Sequence, residues 1–150
     1  MNYRPTRLAV RAILVHQGRL LLVNAYPGGR SDLWCAPGGG VHPGQSLPDN
    51  LVREVQEETG LTITPGPLVL VNEFHDPDHG FHQVELFFRA HCSSGLLPAG
   101  WKDSAGVVTE RRFFAQEELA GIRLKPDSLP RLAFEDTGGA HYDPLERIAP

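Results

Sequence analysis

The chain has 150 residues, 41% of them hydrophobic and 21% charged, as expected of one ordinary globular domain that buries a core without disulfides or a structural metal. Its formal net charge of -4, with no dominant basic stripe, argues against nucleic acid as the main partner. An anionic small molecule is still admitted, because bound cations can invert the charge of an acidic site.

Along the chain, Leu8 to Val15 (LAVRAILV) reads as a buried strand, and Leu20 to Tyr26 (LLLVNAY) resumes the apolar run after a break at His16–Arg19, which predicts a hairpin. Residues 27–32 are loop by composition. Leu33 to Gly40 (LWCAPGGG) passes from a short apolar piece into a glycine triplet. A helix follows, with Ser46 as N-cap, Asp49 three residues on as partner of a capping box, Pro48 in the first turn, and Gly60 as the stop. Leu51, Val52, Val55 and Thr59 keep helical spacing within it.

After the helix, Leu61 to Thr64 predicts a strand, Pro65-Gly66-Pro67 a turn, and Leu68 to Phe74 a further strand. The segment His75 to His82 is a loop before the alternating strand Val84 to Ala90. Residues 92–106 read as loop, Val107 to Ala115 as strand, Ala115 to Ala120 as a short helical turn, and Leu129 to Phe134 as a last short helix. Strands grouped around one long helix, without regular βαβ alternation, predict an α+β fold. The two cysteines, Cys35 and Cys92, form no CxxC pair, so neither a zinc site nor a redox motif is expected. A disulfide between them stays open, and free thiols in a reducing cytoplasm are the expectation. The polar N-terminus does not read as a signal peptide, and no apolar run approaches the roughly 18 residues that span a bilayer. A cytoplasmic protein without membrane contact is expected.

The chemistry is concentrated in Arg53-Glu54-Val55-Gln56-Glu57-Glu58-Thr59-Gly60-Leu61. Glu54, Glu57 and Glu58 stand at i, i+3 and i+4, so their carboxylates leave one face of the helix. Like charges there repel, and the helix dipole disfavours them towards the C-terminal half. Hard divalent cations with oxygen ligands are the natural compensation, and magnesium suits carboxylates combined with substrate phosphates. Alone, such a run is more often a solvated helix face, and a glycine-rich approach is weak by itself; together at this spacing they are specific.

These residues resemble the Nudix box, G-x5-E-x7-R-E-U-x-E-E-x-G-U with U a bulky aliphatic residue. Gly39 opens the match and Leu61 closes it, 23 of 150 residues, and each fixed position agrees except Gln45, where the pattern has glutamate. The resemblance implies a Nudix fold, an α/β/α sandwich around a mixed sheet, over residues 1–150. It also implies metal-dependent hydrolysis of a pyrophosphate bond in a nucleoside diphosphate linked to another moiety, with a nucleoside triphosphate or ADP-ribose leading. Mg2+ or Mn2+ would be the cofactor. Glu57 and Glu58 would be principal metal ligands, joined by a carbonyl at Gly39. Glu54 would be a ligand or the base that takes a proton from water, with Arg53 orienting it. The family's frequent dimers make a homodimer compatible with this chain.

Two departures stand out. Gln45 brings no charge and cannot act as a base, and His42 stands where many members carry another glutamate. They keep open a second reading, a nucleotide-binding or sensing protein that retains the fold without turnover. For an additional carboxylate outside the box, Glu110 is the first choice, followed by Asp103 and Glu85. The histidine- and aspartate-bearing loop 75–82 reads as a solvated hairpin end or as pocket lining. Trp34, Tyr26 and Phe81 are candidates for stacking on a base, with core or rim packing as the plainer role.

Overall fold

The computed structural model describes residues 2–24, 26 and 30–149. Strands β1 (Arg7–His16) and β2 (Arg19–Asn24) are joined at Gln17 and Gly18, whose φ values of 51° and 75° suit a tight two-residue hairpin. Then come β3 (Leu33–Trp34), β4 (Gly38–Gly40), helix α1 (Leu47–Thr59), β5 (Thr64–Asp76) and β6 (Phe81–His91). Strand β7 (Glu110–Ala115) leads into a 3-10 turn at Gln116–Gly121. β8 (Arg123–Leu124), α2 (Leu129–Phe134), β9 (His141–Tyr142) and β10 (Glu146–Arg147) complete the chain.

The main sheet runs β10-β5-β6-β1-β2-β7, with β4 added to β1 and β9 to β5; β3 and β8 pair separately. β1 and β6 are parallel from Arg7↔Gln83 to Leu14↔Ala90, whereas β5/β6 and β2/β7 are antiparallel, so the sheet is mixed. Alternation along β1 divides the core. Val10, Ala12 and Leu14 face α1, where Leu51 and Val55 meet them with Leu61 and Ile63. Ile13 faces the other way, towards Leu70, Phe87, Phe114 and the α2 residues Leu129 and Leu132. The sheet is thus sandwiched between α1 and α2. Each valine, leucine, isoleucine or phenylalanine buried this completely contributes about 1.5–3 kcal/mol relative to an exposed position. Among the described residues no helix is long and apolar enough to cross a membrane.

Helix α1 starts and stops where the sequence predicts. Ser46 Oγ accepts from the Asp49 amide at 3.1 Å, and Gly60 ends the helix at φ 77°, its amide donating to the Gln56 carbonyl. The segment after it differs from expectation. Residues 61–63 form no strand, because Leu61 and Ile63 pack beneath α1 instead of pairing. No turn interrupts at Pro65-Gly66-Pro67 either: β5 runs on from Thr64, with register shifts between Pro65 and Leu68 and between Leu68 and Leu70. Such irregularities accommodate prolines that cannot donate to a ladder. The short strands β8, β9 and β10 are too brief to leave a periodic signal. Residues 25 and 27–29, part of the predicted strand end and loop, lie outside the described residues, as do 1 and 150. Both cysteines are free thiols.

Candidate active site

Glycine spacing brings α1 against the sheet edge. β4 pairs antiparallel with Ala9–Arg11 of β1, and at Gly38 a Cβ would run into the Val10 carbonyl oxygen. At Gly39 a Cβ would lie 2.5 Å from Glu54 Oε2. The missing side chains therefore let the α1 carboxylates close onto the β4 backbone. Gly38 completes the junction by donating its amide to Glu58 Oε2 at 3.1 Å.

Glu54, Glu57 and Glu58 all line one cleft of about 530 Å³, together with Arg53 and Gly39. Glu58 is 8% exposed, and burial pushes its carboxyl up to about 8; Arg11 and the Gly38 amide oppose the shift, while Glu54 and Asp103 add to it. A buried carboxylate with acidic neighbours is suited to a cation. Among the described residues no three His, Cys, Asp or Glu side chains form a ready-made metal cage. Magnesium does not require one, since it retains waters and takes phosphate oxygens as ligands. The donor set of one buried and two partly exposed carboxylates beside an open backbone edge fits such an ion.

Arg53 is fixed from several sides. It donates to Glu54 Oε1 at 2.9 Å and to Asn50 Oδ1 at 2.7 Å, and lies 3.7 Å from Glu57 Oε1. Asn50 is fully buried. Its Oδ1 also accepts from the His42 amide at 2.8 Å, and its Nδ2 donates to the Ser46 and Gln45 carbonyls at 2.8 and 3.2 Å. One side chain thus ties the approach loop to the arginine beside the carboxylates. Gln45 Oε1 accepts from Arg53 Nε at 3.5 Å and does not line the cleft, whereas His42 does. The departure at Gln45 therefore meets the arginine rather than the carboxylate face.

The outer candidates separate. Glu110 is exposed, pairs with Asn24 at the start of β7, and is not part of the cleft. Asp103 lines the cleft, but its carboxylate is engaged by the amides of Ala105, Val107 and Val108, which fold the 103–108 loop. Glu85 also lines it, receiving Arg11 Nε at 2.6 Å and Gln83 Nε2 at 3.0 Å. Tyr26 and Phe81 face the cleft; Trp34 packs edge-on against Phe114 at 4.9 Å in the core.

Sequence reasoning did not single out Arg11, Asn50, Trp101 or Arg111. Arg11 is the arginine in the middle of the apolar LAVRAILV run, a signal of a buried charge with a partner. Burial works against its charge, but Glu85 and the other anionic neighbours outweigh that and hold it above its ordinary range. Trp101 and Arg111 sit in a loop and on a strand far from the box, and nothing local marks them.

A profile of the NUDIX domain matches residues 5–134. The chain is 30% identical over 133 residues to the ADP-ribose pyrophosphatase of Methanocaldococcus jannaschii, covering 89% of this chain and 70% of that protein. It is 27% identical over 136 residues to YjhB of Bacillus subtilis, named provisionally as an ADP-ribose pyrophosphatase, covering 88% of this chain and 61% of the relative. In fold it is similar to a NUDIX hydrolase from Nitrosomonas europaea, with a TM-score of 0.70, 22% identity and 84% of each chain covered.

Proposed function

We propose a function from one premise: the chain belongs to the Nudix family. The reading is hydrolysis of a pyrophosphate bond in a nucleoside diphosphate derivative, with an ADP-ribose-like compound or a nucleoside triphosphate as substrate. The observation that carries it is the convergence of Glu54, Glu57 and Glu58 on one wall of a cleft of about 530 Å³, large enough to enclose a nucleotide. The relative named as an ADP-ribose pyrophosphatase supports the substrate class.

Glu57, Glu58 and the carbonyl of Gly39 would hold a magnesium or manganese ion. When bound, such an ion supplies charge neutralisation at the phosphate oxygens and acidifies water. Glu54 serves as a further ligand or as the base that takes the proton of the attacking water, and Arg53 orients it through the 2.9 Å contact. Water oxygen bonds to phosphorus as the bridging P–O bond breaks, and the released phosphate keeps the bridging oxygen. Burial of Glu58 restricts water on that side of the cleft and strengthens its hold on a cation.

The experiment is nucleotide or phosphate release from a panel of ADP-ribose, nucleoside triphosphates, sugar nucleotides and dinucleoside polyphosphates. Each is run with magnesium, with manganese and with chelator, beside a Glu57→Gln variant. Turnover that needs metal and is abolished in the variant is expected. Nucleotide binding without turnover on any compound would replace this reading with that of a binding protein.

A further inference from the structure

Five cationic side chains line the cleft, and four of them are matched by a carboxylate. Arg11 meets Glu85 at 2.6 Å, Arg53 meets Glu54 at 2.9 Å, Lys125 meets Asp127 at 3.2 Å, and Arg147 reaches Asp78 at 4.0 Å. Arg7 is different. Among the described residues it has no carboxylate within 4 Å, and its Nη1 donates instead to the neutral amide oxygen of Gln83.

The arrangement that produces this is built. Gln83 is the cross-strand neighbour of Arg7 in the parallel β1/β6 pair and is 1% exposed. Its own amide nitrogen is committed to Glu85 Oε2 at 3.0 Å, and that oxygen is held in turn by Arg11. The amide oxygen is therefore oriented at Arg7 by a fixed chain of contacts, and it steadies the guanidinium without cancelling its charge. On the other side Gly40 makes room: a Cβ there would lie 2.6 Å from Arg7 Nη2. Gly39, next in the same strand, gives the corresponding room to Glu54. Arg7 and the carboxylate face thus flank adjacent residues of β4, with a cation at one glycine and an anion at the next.

We propose that Arg7, positioned by Gln83, is an anion-binding residue of this cleft that grips a phosphate group of the substrate next to the one engaged at the carboxylates. A guanidinium that lines the cleft without a carboxylate counter-ion, and that gives only one of its nitrogens to Gln83, has the charge and the planar donor fork that suit a phosphate. The inference rests on the hydrolase reading for where the reacting phosphates lie, yet binding tests it independently of turnover.

The probe is α,β-methylene-ADP in the presence of magnesium, titrated calorimetrically into the wild type, Arg7→Gln and Arg7→Lys. Roughly tenfold or greater weakening is expected for Arg7→Gln, which loses the charge, and a smaller but clear weakening for Arg7→Lys, which keeps the charge and loses the planar fork. Melting temperatures of the unliganded variants are expected to stay close to the wild type, because Arg7 forms no ion pair and glutamine or lysine can still donate to the Gln83 amide oxygen. Wild-type affinity in Arg7→Gln, or no binding of the probe by the wild type, overturns the proposal. Metal-dependent hydrolysis by the wild type with an indifferent Arg7→Gln removes this inference alone. Arg7-dependent binding without hydrolysis of any compound removes the hydrolase reading alone.

Discussion

The indole nitrogen of Trp101 donates to the backbone carbonyl of Glu57 at 2.8 Å, so a loop residue more than forty positions downstream holds the end of the carboxylate-bearing helix. Arg111 acts beside it, donating to the Glu58 carbonyl and to the Trp101 carbonyl, each at 2.7 Å. These contacts occupy carbonyls that the last turn of a helix leaves without partners, and the arginine places positive charge where the dipole is negative. Trp101→Phe keeps the ring and removes the donor. A loss of about 1–2 kcal/mol in denaturant stability is expected, with a fall in kcat larger than any rise in KM. An unchanged kcat would show that the clamp serves folding only.

Glu58 links stability to pH. Its carboxyl is pushed up to about 8 in the folded protein against an ordinary 4.5, so the fold holds this proton more tightly than the unfolded chain does. The contribution is full below about pH 4.5 and is lost as pH rises to about 8. In chelator, the free energy of unfolding is expected to decline across that window by on the order of a few kcal/mol, and the melting temperature to fall with it. Magnesium, which favours the ionised carboxylate, flattens the decline, and Glu58→Gln removes it. A profile in chelator identical for wild type and Glu58→Gln would contradict the assignment.

Gly39→Ala places a methyl group against the end of the Glu54 side chain. The carboxylate can swing away, so stability is expected to change little, while its displacement lowers turnover roughly 10- to 100-fold. The check pairs a melting curve with kcat and the manganese concentration giving half-maximal activation. Wild-type values for both kinetic quantities would mean that Glu54 does not need its present position.

Gln45→Glu tests the departure from the box. Because Gln45 reaches Arg53 at 3.5 Å and stands outside the cleft, turnover is expected to stay within about threefold of wild type. A gain of a hundredfold or more would identify the native glutamine as the cause of a weakened site.

Glu110→Gln is expected to leave turnover unchanged, since this side chain is exposed on β7 away from the cleft. Glu85→Gln is expected to reduce stability by about 3 kcal/mol, because it strips the largely buried Arg11 of its ion-pair partner. Loss of activity in Glu110→Gln at full stability would restore that residue to the reaction.

The helix was legible in the sequence because its signals are local. Ser46, the i, i+3, i+4 carboxylates and Gly60 act within a few residues of one another, and 3.6-residue periodicity fixes which side chains share a face. The glycine triplet was legible as a device, though not its purpose, since only the approach of β1 and α1 shows that Gly38 admits a carbonyl and Gly39 a carboxylate. Tertiary structure alone decided the other half of the site. The ranking of Glu110 above Asp103 and Glu85 came from position in the chain, and the fold brings the latter two into the cleft and leaves Glu110 outside. Arg7 and Gln83, like Arg11 and Glu85, lie more than seventy residues apart in the sequence and meet because β1 pairs in parallel with β6. Parallel pairing is set by how whole faces of the sheet bury against α1 and α2, a sum over many distant contacts, so no short stretch of sequence records it.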